Sequence, residues 1–166
     1  MNRREAILGA AVAALAACGR APDALSDDAA TGAVAATPDP QLPAMTVHKN
    51  VGCGCCDLWV EHMQQAGFTA EVHEVGNMGP VKERLGVPVG MGSCHTAEVG
   101  GYFVEGHVPA PEVLRLLRER PDAKGLTVPG MPIGSPGMEV QDRSEPYEVI
   151  LVASDGSTSV YARYGS

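Results

Sequence analysis

The stretch "VGCGCCDLWV" (51–60) puts three cysteines into four positions and runs straight into a helical pattern that Gly67 ends, with Trp59 as the residue to pack that helix onto a sheet. Upstream, "AMTVHKN" (44–50) reads as a short strand, and downstream "FTAEVHEV" (68–75) alternates like one. "GPVKERLG" (79–86) carries Pro80 near a helix start and Gly86 past its end. "TAEVGGYFVEG" (96–106) predicts a hairpin around Gly100-Gly101. "APEVLRLLRERP" (110–121) is an amphipathic helix with Pro111 in its first turn. "LTVPGMPIGSPGMEV" (126–140) reads as a Pro/Gly-rich loop, and 146–165 as a terminal hairpin turning at Asp155-Gly156. Strand, cysteines at a helix start, strand, helix, hairpin, helix is the order of an α/β, thioredoxin-like domain, to which the C-terminal loop and β-hairpin are additions.

That domain is expected over residues 44–166. Before it, Arg3 and Arg4 lead an apolar run from Ala6 to Ala17, too short to span a bilayer and suited to a signal peptide over 1–17. "LAAC" (15–18) resembles a lipoprotein processing site, which makes Cys18 the lipidated first residue of the mature chain. Residues 18–43 are rich in Ala, Asp, Pro and Thr without apolar periodicity, the composition of a flexible tether. The expected location is the periplasm, with the membrane reached through the lipid anchor only. Removing 1–17 leaves ten basic and nineteen acidic residues, a net charge of −9. This balance excludes nucleic acid as a natural partner and is compatible with metal cations.

Apart from Cys18, the cysteines are Cys53, Cys55, Cys56 and Cys94. Cys53 and Cys56 form a C-x-x-C pair at a helix start, where the helix macrodipole favours thiolate. Thiolate serves both disulfide exchange and soft-metal ligation, so a thiol-disulfide oxidoreductase using Cys53 and Cys56 stays open beside a metal-binding protein. Cys55 argues for metal. A third thiol between two redox partners invites scrambling, whereas three thiolates fanned from one loop, with Gly54 allowing close backbone approach, make a claw that remote Cys94 can complete. Structural zinc sites favour paired C-x-x-C halves, so zinc is the weaker candidate. Thiolates with methionine thioethers nearby suit Cu(I) and can bridge several Cu(I) ions in a cluster. Two structural disulfides are the bland alternative, but only Cys94 is a distant partner.

"CGCC" after a short strand, then "SCHTAEVGGYFVEGHVP", then "GLTVPGMPIGSPGME" and a closing hairpin resemble a bacterial family of predicted metal-binding, copper-resistance-associated (CopG-like) proteins, over residues 45–166. The resemblance implies a thioredoxin-like fold and a copper site built from Cys53, Cys55, Cys56 and Cys94. It also implies a role in copper tolerance, with Cu(I)/Cu(II) redox change and exchange with other envelope copper-handling proteins.

Further candidate ligands are His95, next to Cys94; His107, in "EGHVP"; and Met131, on the Pro/Gly-rich loop. Each has an ordinary alternative: a hydrogen bond behind the ligands for His95, a polar helix entry for His107, packing for Met131. His48 and His73 sit in strand patterns and read as structural, and Asp57 as a complement to the helix N-terminus. "GVPVGMG" (86–92) has glycines but no suitably placed lysine, and no Ser/His/Asp or paired-carboxylate motif supports hydrolase or kinase chemistry.

Overall fold

A computed structural model of the chain describes Asp39 and residues 41–165. The expected signal peptide, Cys18 and most of the expected tether lie outside the described residues. The described elements are β1 (Met45–Asn50), α1 (Gly54–Gln65), β2 (Ala70–Val75), α2 (Gly79–Leu85), β3 (His95–Val99), β4 (Tyr102–Glu105), α3 (Ala110–Glu119), β5 (Ala123–Thr127), β6 (Tyr147–Ala153) and β7 (Thr158–Tyr164). They make a mixed α/β fold around one seven-stranded sheet, ordered β2-β1-β3-β4-β5-β6-β7. No described helix is long and apolar enough to cross a membrane.

Alternation along the central strands decides which face is covered. In β1, Met45 and Val47 are buried while Thr46 and His48 point the other way, half-exposed. α1 buries Cys56, Trp59, Val60 and Met63, the i, i+3, i+4, i+7 stripe of an amphipathic helix. α3 adds Ala110, Val113 and Leu116, and both helices share one core with Met45, Val47, Ala97, Val99, Val104 and Leu126. Trp59 is fully buried, and its indole N–H donates to the Val108 carbonyl at 2.9 Å. Burying a side chain of this size contributes roughly 4–6 kcal/mol of transfer free energy before entropy is counted. α2 buries no residue; it lies over the opposite face, where Lys82 reaches Thr96 and Arg84 chelates Glu98.

β1 and β2 run parallel, so the chain must cross over between them, and α1 is that crossover. β1 then pairs antiparallel with β3, and β3 with β4 through the Gly100-Gly101 turn, as expected. β2 is an edge strand studded with Glu71 and Glu74, charges that discourage further pairing. His48 and His73 are register partners whose rings stack at 5.4 Å, each beside a glutamate (Glu98 and Glu71), consistent with their structural reading.

One expectation is corrected. The loop predicted over 126–140 does not begin at Leu126: Ala123–Thr127 is a strand, β5, paired parallel with β4 and antiparallel with β6. The terminal hairpin is therefore joined to the main sheet and extends it. "AKGLT" has weak strand propensity and no alternation, so its conformation is imposed by neighbours on both sides. Gly125 shows how tightly. A Cβ there would lie 2.0 Å from the Phe103 carbonyl oxygen, a backbone atom that cannot turn aside. Gly125→Ala is expected to destabilise the fold by at least about 3 kcal/mol, the upper end for overpacking, because two strands must part. A urea unfolding midpoint close to the parent's would refute this close approach.

Candidate metal centre

The cysteine loop begins where β1 ends. Gly52, at φ 71°, makes a turn that L side chains rarely adopt; the Cys53 amide donates to Asn50 O at 3.2 Å, and Cys53 caps α1. Open space surrounds the position a Cβ would take on Gly54, so the close approach expected there is not made, and the turn belongs to Gly52. Lys49 braces the loop from beneath. Its buried ammonium lies 2.7 Å from Asp57 in the first turn of α1 and 3.0 Å from Glu74 at the end of β2. Glu74 also accepts the Gly52 amide at 3.3 Å. The hydrogen bond from Lys49 to Asp57, and then that to Glu74, holds the Lys49 pKa above its usual value. Asp57, read as a helix-end charge, has this lysine as its partner.

Cys94 arrives from the other side, immediately before β3. Its carbonyl accepts the Asn50 amide at 3.3 Å, which extends the β1–β3 ladder by one rung and sets Cys94 beside the cysteine loop. As a result the sulfurs of Cys53, Cys55, Cys56 and Cys94 all lie within 4.8 Å of one another. Cys53 and Cys56 are joined by a disulfide, and Cys55 and Cys94 carry free thiols. The Cys55 sulfur stands 3.5 Å from that of Cys53 and 3.9 Å from that of Cys94. Tetrahedral ligation at a metal–sulfur distance of about 2.3 Å requires sulfurs about 3.8 Å apart, so the donor set fits a soft metal ion once the disulfide is reduced. Cys56 is fully buried; the other three sulfur residues are partly exposed.

Two histidines stand behind Cys94. His107 Nδ1 lies 2.8 Å from the Pro136 carbonyl, an acceptor only, so this nitrogen carries the proton. Nε2 is left with its lone pair, 3.2 Å from the Cys94 sulfur. His95 Nδ1 is 3.5 Å from the same sulfur, and its ring lies between Trp59, at 4.3 Å, and His107, edge-on at 5.1 Å. Cys94, His95 and His107 form a second potential ligand group that shares Cys94 with the first. The His95 Nε2 atom is buried without a hydrogen-bond partner. Burial pushes the pKa of His107 down and that of His95 far down, so both rings are neutral, the state a metal requires. Burial also pushes the Cys94 thiol up to about 11; the adjacent Cys55 raises it too, and the Ser93 hydroxyl opposes the shift.

Of the ligands proposed from sequence, Cys53, Cys55, Cys56, Cys94, His95 and His107 are brought together. Met131 is half out in solvent on the loop, one residue beyond Gly130, whose carbonyl accepts the Ser93 hydroxyl at 2.5 Å. That loop does more than sequence suggested. Pro136 sets the His107 tautomer, and Gly137, at φ 83°, rests on the start of α1, where a Cβ would be 2.6 Å from Cys55 O and 2.9 Å from Trp59 N. Ser93, Lys82 and Glu105 were also missed. The one signal for them was a glutamate inside the apolar run "YFVEG", and Glu105 proves to be fully buried.

Residues 91–138, which contain Cys94, His95, Glu105, His107 and Met131, match the model of a family described as "Protein of unknown function, DUF411". No curated protein matches the chain. Two solved structures resemble it along most of its length. Form 1 of copper resistance protein CopG shares 49% identity over 76% of this chain and 100% of its own, with a TM-score of 0.72. Form 2 shares 50% identity over 74% and 98%, with a TM-score of 0.71. At this identity and coverage, the chain belongs to the CopG-like copper-resistance family.

Proposed function

We propose that this chain is a copper-binding protein of the bacterial envelope that holds Cu(I) through Cys53, Cys55, Cys56 and Cys94. The observation that carries the reading is the convergence of four cysteine sulfurs within 4.8 Å, drawn from one helix start and one strand start. The relatives' name, copper resistance protein, supports copper over zinc, and sulfur donors support the monovalent state. His107 offers a lone pair beside Cys94, His95 is the next candidate, and Met131 is a thioether at the rim. The order β2-β1-β3-β4, with β1 parallel to β2 and antiparallel to β3, supports reading the first four strands and their helices as a thioredoxin-like core. The proposal includes a lipid anchor at Cys18, a periplasmic location, exchange of copper with other envelope proteins, and a Cu(I)/Cu(II) redox change.

The residues divide the work. Cys53, Cys55 and Cys56 present sulfur from the start of α1. Cys94 closes the set from the sheet. His107 keeps its lone pair directed at Cys94 because Pro136 holds its other nitrogen. The Cys53–Cys56 disulfide favours a second reading, a thiol-disulfide oxidoreductase, because it puts an oxidised pair at the head of α1. Full thiolate ligation requires two electrons to open that bond.

The two readings separate on Cys55. With the reduced chain loaded with Cu(I) against a competing chelator, the parent is expected to retain copper with all four thiols protected. Cys55→Ser is expected to lose copper while Cys53 and Cys56 still exchange disulfide. Full copper stoichiometry in Cys55→Ser would refute the three-thiol claw, and a parent that retains no copper while its dithiol cycles would establish the oxidoreductase.

Acid gives a second check. A Cys94 thiol near 11 is protonated at neutral pH, so ligation must expel its proton. Between pH 7 and 6 the apparent Cu(I) affinity is expected to fall about tenfold for each thiol still protonated in the free chain. A chelator-competition affinity that stays flat over this interval would exclude cysteine ligation.

A further inference from the structure

Beneath Cys94 lies a charged group that none of the ligand chemistry uses. Glu105, the last residue of β4, is fully buried. Its Oε1 accepts the backbone N–H of Ser93 at 2.5 Å and the ammonium of Lys82, and its Oε2 accepts the Thr96 hydroxyl at 2.6 Å. Lys82 also donates to Thr96 Oγ1 at 3.0 Å. One carboxylate thus ties together α2, β3, β4 and the segment that leads into Cys94.

Ser93 is held on every side. Its amide is on Glu105 and its hydroxyl on Gly130 O. Its Cβ lies against Gly106, where an added Cβ would be only 2.6 Å away. The next residue is Cys94, the one cysteine of the cluster that lies away from the head of α1.

A buried ion pair is a weak source of stability, because desolvation consumes most of the attraction. Apolar pairs of similar volume often serve as well or better. What such a pair supplies here is a fixed acceptor for one particular amide. We propose that Glu105, held by Lys82, is a positioning residue for Cys94, seating the remote thiol against the three helix-borne cysteines. The proposal rests on reading those cysteines as Cu(I) ligands. Groups that orient ligands from behind change metal affinity by roughly 10–100-fold when removed.

The test compares two double variants of the full chain. Lys82→Met with Glu105→Leu replaces the pair by apolar groups and takes the acceptor from Ser93. Lys82→Met with Glu105→Gln removes the charges but keeps an amide oxygen for Ser93 N–H and an amide donor for Thr96. Three quantities are read: the urea midpoint, the Cu(I) affinity by chelator competition, and the alkylation rate of Cys94 relative to Cys55 in the reduced, metal-free chain. The leucine variant is expected to lose roughly 10–100-fold in affinity and to expose Cys94 selectively, with its midpoint little changed. The glutamine variant is expected to keep both site properties.

Parental affinity and parental Cys94 reactivity in a folded leucine variant would overturn the proposal. So would equal loss in both variants, which would make the charge, not the acceptor, the cause. If the leucine variant does not fold, Glu105→Ala alone decides, because it takes the acceptor from Ser93 and leaves Lys82, which is partly exposed, free to reach solvent. A raised Cys94-to-Cys55 alkylation ratio then supports positioning and an unchanged one refutes it. A parent that binds no Cu(I) would sink the copper reading, and the alkylation ratio would still judge the role of Glu105.

Discussion

The register between β1 and β3 carries the site. With Lys49 opposite His95, the next rung brings Asn50 N–H to the carbonyl of Cys94, and the chain leaving Asn50 turns at Gly52 into the cysteine-bearing start of α1. Two segments about forty residues apart thereby meet at one end of two neighbouring strands. A slip of one residue would send Cys94 and His95 to exchanged faces, because strand side chains alternate. The register is itself secured by burial: Met45 and Val47 on β1, and Ala97 and Val99 on β3, belong to the core that α1 and α3 cover. Site geometry and core packing are one constraint.

The surroundings of the sulfurs follow from where that end of the sheet lies. Trp59, anchored to Val108 O, packs tilted against His95, and the rings of His95 and His107 meet nearly at right angles. Both rings are neutral because they are buried, and His107 is locked in a single tautomer by a carbonyl from the distant loop. The disulfide at the head of α1 stands beside two free thiols, so an oxidised and a reduced pair of sulfurs share one small volume. The unpartnered Nε2 of His95 is a cost of this packing, of the order of 1–3 kcal/mol for a buried polar atom.

Much of this was legible before any coordinates. The cysteine loop, the helix it opens, the Gly100-Gly101 turn and the terminal hairpin are written in local signals: glycine at tight turns, proline at helix starts, and periods of two and 3.6. The cysteines and both histidines of the site were also named from spacing and residue chemistry. What escaped depends on partners far along the chain. β5 is a strand only because β4 and β6 flank it, and Gly125 is required only because Phe103 O is there. The loop from 128 to 138 reads as turns, yet its carbonyls at Gly130 and Pro136 hold Ser93 and His107. Glu105 gave a faint signal, a charge in an apolar run, but the amide it serves cannot be read from a one-dimensional string.

The neutrality of the two imidazoles has an electrostatic consequence for a thiolate site. Lys49 is committed to Asp57 and Glu74, and Lys82 to Glu105, so the lysines that reach these segments bring no spare positive charge to the sulfurs. Each thiol that ionises therefore adds an uncompensated negative charge to a half-buried volume. Its counter-charge has to come from solution, as a proton or another cation, because the protein supplies none nearby. The charge state of the sulfurs is thus set by what the solvent delivers and requires no movement of the chain.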